Sequence, residues 1–372
     1  MPVNVKKLPK SLYVHIPYCD HICHYCDFTK MLTNPQQTRA YVEEVLKELS
    51  EINPAPFATI FFGGGTPTAL NEADLASLCE GVKRYALPGA EWTVECNVES
   101  TTPAKLTIMK KAGVNRLSIG VQTFKQEALQ SLNRHHNHQQ IIATIAEAKG
   151  QGFKHINVDL IYDLPKVSDA DLQEDLVRFL ALDVDHIATY ALTIHPNTVF
   201  GIQKVQPVTD EISRKHYEMI YQTLTAHGYE RYEVSNFARH QAYAQHNLTY
   251  WRNQPYVGIG LGASGYIDGV RYTNTKNMTK YLQGKRRDVE EVIDAKMHQF
   301  EFIMLNFRLK DGFALEEFEA LYDQSFHNAY AKSLPPLIEK GLIVVEHNRA
   351  KLSFEGMLLL DYVVIKLTQD TI

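Results

Sequence analysis

Six short apolar or alternating runs, each followed by a longer helical pattern, constrain what this chain can fold into. The runs fall at residues 12–16, 58–62, 92–98, 115–119, 155–161 and 186–192. Helical periodicity follows them at 36–51, 71–85, 103–112, 125–132 with 138–150, 169–182 and 210–227. Parallel strands need a crossover long enough to carry the chain back, and a helix supplies it. The expected fold is therefore α/β, a partial (β/α)6 TIM-like barrel whose strand ends face a common mouth.

The pattern changes after Gly228. Residues 229–236 read as one extra strand and 256–269 as a glycine-rich stretch. From 294 the chain turns helical (294–309, 315–322, 330–340), then gives two short strands at 342–346 and 350–354 and a last helix. Helices followed by a β-wing predict a winged-helix-like module. The expected division is a barrel over 1–240, a connecting segment over 241–290 and the helical module over 291–372. A net charge of −5 argues for packing or a lid in that module and against nucleic-acid binding.

No apolar run approaches the ~20 residues that span a bilayer, so an integral membrane protein is not expected. The first ten residues lack the apolar core of a secretory signal. Five cysteines, three of them crowded together, do not read as a disulfide framework but as metal-binding thiols in a reducing, cytoplasmic setting.

Those three, Cys19, Cys23 and Cys26, are spaced C-x3-C-x2-C directly after the first strand. Three thiolates from one loop can hold a four-iron cubane and leave one iron open to a ligand that is not protein. A zinc knuckle with His21 or His24 as fourth ligand uses the same residues. Gly63-Gly64-Gly65-Thr66-Pro67 ends the second strand, where the absence of Cβ atoms lets a ligand approach the backbone. Glu95, Gln122, Arg134 and Asp159 fall on or just after later strands. Together they describe a mouth with carboxylates for hydroxyls or an ammonium and an arginine for a carboxylate.

The triad, the Gly-Gly-Gly-Thr-Pro turn, the run 116–122 (Arg-Leu-Ser-Ile-Gly-Val-Gln) and 157–165 (Asn-Val-Asp-Leu-Ile-Tyr-Asp-Leu-Pro) together resemble the radical S-adenosylmethionine (SAM) enzymes. The branch resembled is that of oxygen-independent coproporphyrinogen III dehydrogenase (HemN) and its relatives. The resemblance implies a [4Fe–4S] cluster on Cys19, Cys23 and Cys26, with SAM chelating the open iron. It further implies that Tyr13, Gly64, Gly65, Thr66, Glu95, Gln122, Arg134 and Asp159 line the SAM site, with Tyr25 near the adenine. Two positions depart from the family pattern, Asn133 and Asp163, each where glycine is usual. Asparagine, and to a lesser degree aspartate, tolerates left-handed backbone, so both sites can keep their geometry.

The dehydrogenases add a fourth cysteine two residues after the third, where this chain has Phe28, and a substantial extension ahead of the barrel. Both differences resemble the HemW branch of haem chaperones. His246-Asn-Leu-Thr-Tyr250-Trp251 matches the H-N-x-x-Y-W pattern associated with haem in that branch. Imidazole is a good axial ligand, and Tyr and Trp offer flat faces to a porphyrin. The implied function is binding of haem, cluster and SAM, with haem passed to a haem-requiring acceptor such as a respiratory enzyme. A SAM-cleaving coproporphyrinogen III dehydrogenase is the alternative. His135, His136 and His138 read as solvated or capping groups, Cys79 as core, and Cys96 as facing away from Glu95.

Overall fold

The computed structural model describes residues 8–52 and 56–369; part of the amino-terminal stretch read above for a signal lies outside them. Its spine is six parallel strands, adjacent in chain order: β1 (Ser11–Ile16), β2 (Phe57–Gly64), β3 (Ala86–Asn97), β4 (Arg116–Gln122), β5 (His155–Tyr162) and β6 (His186–Ala191). The period-2 geometry of a strand sends alternate side chains to opposite faces. Leu12, Val14 and Ile16 thus enter the apolar layer beneath the helices, while Tyr13 faces the barrel interior. The helix Pro35–Ile52 supplies Tyr41, Val42, Val45 and Leu49 to that layer, and Glu72–Lys83 supplies Leu75, Leu78 and Val82. Cys79 is buried there, as its helical spacing predicts.

Among the described residues the sheet has nine strands, three more than the alternation indicates. Val257–Ile259 lies parallel to β1, with Leu12 opposite Val257. Asn236–Ala238 runs antiparallel along β6, with Glu230–Arg231 beyond it. The single strand expected at 229–236 is therefore a hairpin, turning where the Glu233 carboxylate accepts from Ser235 N–H. Tyr41 fastens the added edge: its hydroxyl donates to His15 O (2.6 Å) and accepts from Leu261 N–H (2.8 Å). Glu48 accepts from Gly260 N–H, Asn274 and Tyr281 on the same side.

The carboxyl-terminal module has its own core of Phe302, Phe307, Phe313, Phe318 and Phe326, under a three-stranded sheet (Phe313–Ala314, Arg349–Leu352, Ile343–Glu346). The helix predicted from 330 begins at Leu334, where Pro335 and Pro336 fit the first turn without losing a needed N–H. The module meets the barrel through Phe354 against Tyr217 and Tyr221, and through a bidentate Arg214–Glu355 pair. Among the described residues, no helix is long and apolar enough to cross a membrane.

Candidate cluster and cofactor site

At the carboxyl ends of β1 to β6 lies a cavity of about 410 Å³. The strand Tyr18–Cys19 and the loop after it bring Cys19, Cys23 and Cys26 to its wall, together with Tyr25. Gly64, Gly65, Thr66, Glu95, Gln122, Arg134 and Asp159 line the same space, so residues far apart in sequence converge as the motif reading requires. Tyr13 does not join them. It lines a deeper cavity of about 240 Å³, one layer down the barrel, and its hydroxyl meets His15 Nδ1 at 3.0 Å.

The glycine turn is shaped by packing as much as by any ligand. Gly64 has φ +107°, and a Cβ there would lie 2.3 Å from the His15 ring; one on Gly65 would lie 2.7 Å from Ile16 O. Three N–H groups of the turn are engaged: Gly64 donates to Glu95 (3.0 Å), Gly65 to Ile16 O (2.8 Å) and Thr66 to Tyr18 O (2.7 Å). The turn therefore does not offer an oxyanion-type nest. Both departures from glycine keep left-handed backbone, Asn133 at φ 60° and Asp163 at φ 62°. Each is tied down, Asn133 by donating to Ile22 O (2.9 Å) and Asp163 by accepting from His216 Nδ1 (2.7 Å).

Burial, with Asp159 nearby, pushes the Glu95 carboxyl up to about 8. Burial also pushes Asp159 up to about 6, against the opposing pull of Asn157 and Arg134. Two desolvated carboxyls without an adequate counter-charge mark a place for a cation. SAM carries an ammonium, a sulfonium and one carboxylate, which matches that need. Arg134 is anchored by donating to Asn97 Oδ1 (2.8 Å), Gly120 O (2.8 Å) and Glu99 Oε2 (3.2 Å), and it reaches Cys23 Sγ at 3.8 Å. Its Nε is buried and has no partner among the described residues.

The donor set also discriminates between metals. No three His, Cys, Asp or Glu side chains among the described residues converge on one metal-ion position. That counts against a zinc knuckle, because zinc needs its ligands around a single point. His24 is turned away, its Nδ1 on Ser131 O at 2.8 Å, and His21 packs against the His135 ring. Three thiols spread along one wall suit a cluster, in which each thiolate meets a different iron. Burial raises Cys19 to about 11 and also raises Cys26, so a cationic centre is what would favour their thiolates.

Three residues of the site escaped the sequence reading. Asn97 joins Thr66 Oγ1 (2.9 Å) to Arg134, and its signal was the alternation that puts it on the face of Glu95. Glu99 holds Arg134, His136 Nδ1 (2.9 Å) and His135 N–H (3.0 Å). Burial works against its charge, but His136 and Arg134 win and hold it near 2. His136 is a correction: it is 0% exposed, with Nε2 on Val121 O at 3.1 Å, and is neither solvated nor a cap. Cys96, expected to face away from Glu95, packs in the core with its Sγ on Val94 O at 3.5 Å, though it also borders the cavity.

His246, Tyr250 and Trp251 lie elsewhere, on the helix Gln245–Trp251. His246 is 0% exposed; its Nδ1 meets Thr59 Oγ1 at 2.9 Å and its Nε2 meets Tyr250 OH at 2.8 Å. Phe61 stacks on its ring, and burial lowers it to about 3. Tyr250 borders the deeper cavity, while Trp251 packs at the seam with the carboxyl-terminal module, under Arg308.

The radical SAM superfamily model matches residues 13–179, and the HemN C-terminal domain model matches residues 293–359. The structure superposes on coproporphyrinogen III oxidase (HemN) of Escherichia coli, a radical SAM enzyme, with a TM-score of 0.85. That match covers 98% of this chain and 91% of the other at 24% identity. Fold and matched regions thus define a radical SAM protein with a HemN-type module. Heme chaperone HemW of Bacillus subtilis is 36% identical, with 94% of this chain and 97% of that protein covered. For HemW of Lactococcus lactis the identity is 35%, with 98% of each covered, and for HemW of Escherichia coli it is 38%, with 85% and 87% covered. The chain belongs to the HemW family. Its radical SAM membership implies a [4Fe–4S] cluster and SAM.

Proposed function

We propose that this protein is a haem chaperone: it binds haem, a [4Fe–4S] cluster and SAM, and hands haem to a haem-requiring acceptor protein, a respiratory enzyme being one such acceptor. The observation that carries this reading is the similarity, over nearly the whole chain, to proteins named as haem chaperones. In this reading Cys19, Cys23 and Cys26 hold the cluster. Glu95 and Asp159 receive the cationic end of SAM, Arg134 neutralises the thiolate side, and Gly64, Gly65, Thr66, Gln122 and Tyr25 shape the walls. When bound, the cluster supplies an electron and an open coordination site to SAM. Tyr13 supports the site from below through His15.

Cavity size argues against any tetrapyrrole, haem or porphyrinogen, being held beneath the SAM site. With SAM in the upper cavity, the space beneath is about 240 Å³. Sites for drug-sized ligands span ~300–1,000 Å³, and a tetrapyrrole belongs at the upper end of that range. In this reading His246 acts through packing rather than as an iron ligand, supported by the engagement of both its ring nitrogens with Thr59 and Tyr250. Its segment instead braces β1 and β2 and, through Trp251, the carboxyl-terminal module. The reading is tested with anaerobically reconstituted protein in two assays. Haem transfer to an apo-acceptor is expected, and protoporphyrinogen formation from coproporphyrinogen III with SAM and reductant is not. Robust turnover in the second assay would overturn the chaperone reading in favour of the dehydrogenase.

A further inference from the structure

Resting on the chaperone reading, we infer that haem binds at the rim of the cluster cavity, with His195 as its iron ligand and Asp27 as the partner that orients it. His195 lines the cavity on the segment that follows β6, with its side chain 43% exposed. Its Nε2 lies 3.4 Å from Asp27 Oδ2, and no other side-chain partner of its ring is found among the described residues. One ring nitrogen at ion-pair distance from a carboxylate and the other free is an arrangement that iron binding would tighten into the orienting hydrogen bond of metal-bound histidines. The carboxylate fixes the ring and makes the free nitrogen more basic.

The backbone beneath the imidazole is fixed. His195 O accepts from Thr198 N–H (3.1 Å) and Thr198 Oγ1 (2.7 Å). A Cβ on Gly201 would sit 2.1 Å from that oxygen, so the turn is packed to contact. An anchored turn that presents a half-exposed imidazole is suited to an open-sided ligand. It contrasts with His246 and His15, whose ring nitrogens are both engaged.

One flat apolar group shares the rim: Phe28 is 65% exposed and lines the same cavity as His195, whereas Tyr190 borders the deeper cavity as well and faces the barrel interior. An exposed aromatic face beside a ligand histidine gives a porphyrin both its stacking surface and its iron bond. Lys30, also on this wall, is committed to Cys26 O and Phe28 O, so it holds the rim loop in place. The haem propionates would then point to solvent, outside the cavity. Phe28 acquires a function here: the residue that follows the cysteine loop offers a ring to haem rather than a thiol.

The test is a ferric haem titration of cluster-loaded, full-length protein, followed by absorption and electron paramagnetic resonance. Wild type is expected to show an imidazole-ligated spectrum. His195→Ala should lose that spectrum and weaken binding by more than tenfold, with added free imidazole restoring the spectrum. Asp27→Asn should keep the ligation and bind roughly tenfold more weakly, the lower end of what such orienting partners contribute. Phe28→Ala should weaken binding without changing the ligand signature. Iron and sulfide content equal to wild type establishes that each variant is folded. An unchanged spectrum and affinity in His195→Ala would overturn the assignment while leaving the chaperone reading intact. Absence of haem binding by wild type would overturn both.

Discussion

Two regions of this chain carry motif-like clusters of His, Tyr and charged residues, and they differ in what they leave open. At the mouth, two carboxyls are pushed up by burial, Arg134 Nε has no partner among the described residues, and three thiols share one wall. In the helix Gln245–Trp251 the imidazole is closed off: Thr59 and Tyr250 take both nitrogens of His246, and Glu91 accepts from its N–H (2.9 Å). Residue types alone do not separate a binding site from a brace. Partner accounting does, because a satisfied donor has nothing left to give a ligand.

The largest effect expected from this contrast is at the cysteines. Cys19→Ala, Cys23→Ala or Cys26→Ala should abolish stable cluster assembly, read as iron and acid-labile sulfide near zero, while far-ultraviolet circular dichroism stays unchanged. Retention of four irons by any of them would break the assignment. His246→Ala should act on stability instead. It empties a packed ring site and strands the Thr59 and Tyr250 hydroxyls, costing about 2–4 kcal/mol in urea unfolding. A cost near zero would show that the segment is not the brace described.

Next comes pH. Glu95 and Asp159 are raised in the folded protein, to about 8 and about 6, so between their ordinary carboxylate values and these the folded state binds more protons than the unfolded. The ligand-free protein should therefore lose stability as pH rises through that window, and Glu95→Gln should remove the part of the slope that extends toward pH 8. SAM affinity should rise over the same window, since the ionised carboxyls attract its cationic groups; a flat calorimetric profile would rule this out. Glu99 has the opposite sign: its carboxyl is held near 2, so its stabilisation is present above about 4.5 and lost as pH falls toward 2. The smallest effect belongs to the seam. Trp251 Nε1 has no partner among the described residues, so Trp251→Phe should change unfolding free energy by no more than about 1 kcal/mol.

The alternating strands and helices were legible in the sequence because periodicity is a local property. Five of the six strands begin close to where polar residues give way to an apolar run, and Pro103–Ala112 starts at its proline; β3 is the exception, starting at Ala86, ahead of the run at 92–98. The mouth residues on strand ends were legible for the same reason. What escaped depends on distance. Val257–Ile259 is three residues long and is a strand because β1 offers an unpaired edge, which no local pattern announces. Tyr232, read as part of one continuous strand, stands at a hairpin set by Asn236 pairing back along β6. His136 looked like its exposed neighbours until Glu99 and the Val121 carbonyl drew it inward.

The pairing of β1 with Val257–Ile259 bears on how the chain is made. β1 is synthesised long before Val257–Ile259 and keeps that edge open until the later segment arrives. Contacts of such long sequence separation slow folding and leave an exposed edge in the meantime. Tyr41, which joins His15 O on β1 to Leu261 N–H beyond the late strand, is the latch that closes this edge once both segments are present.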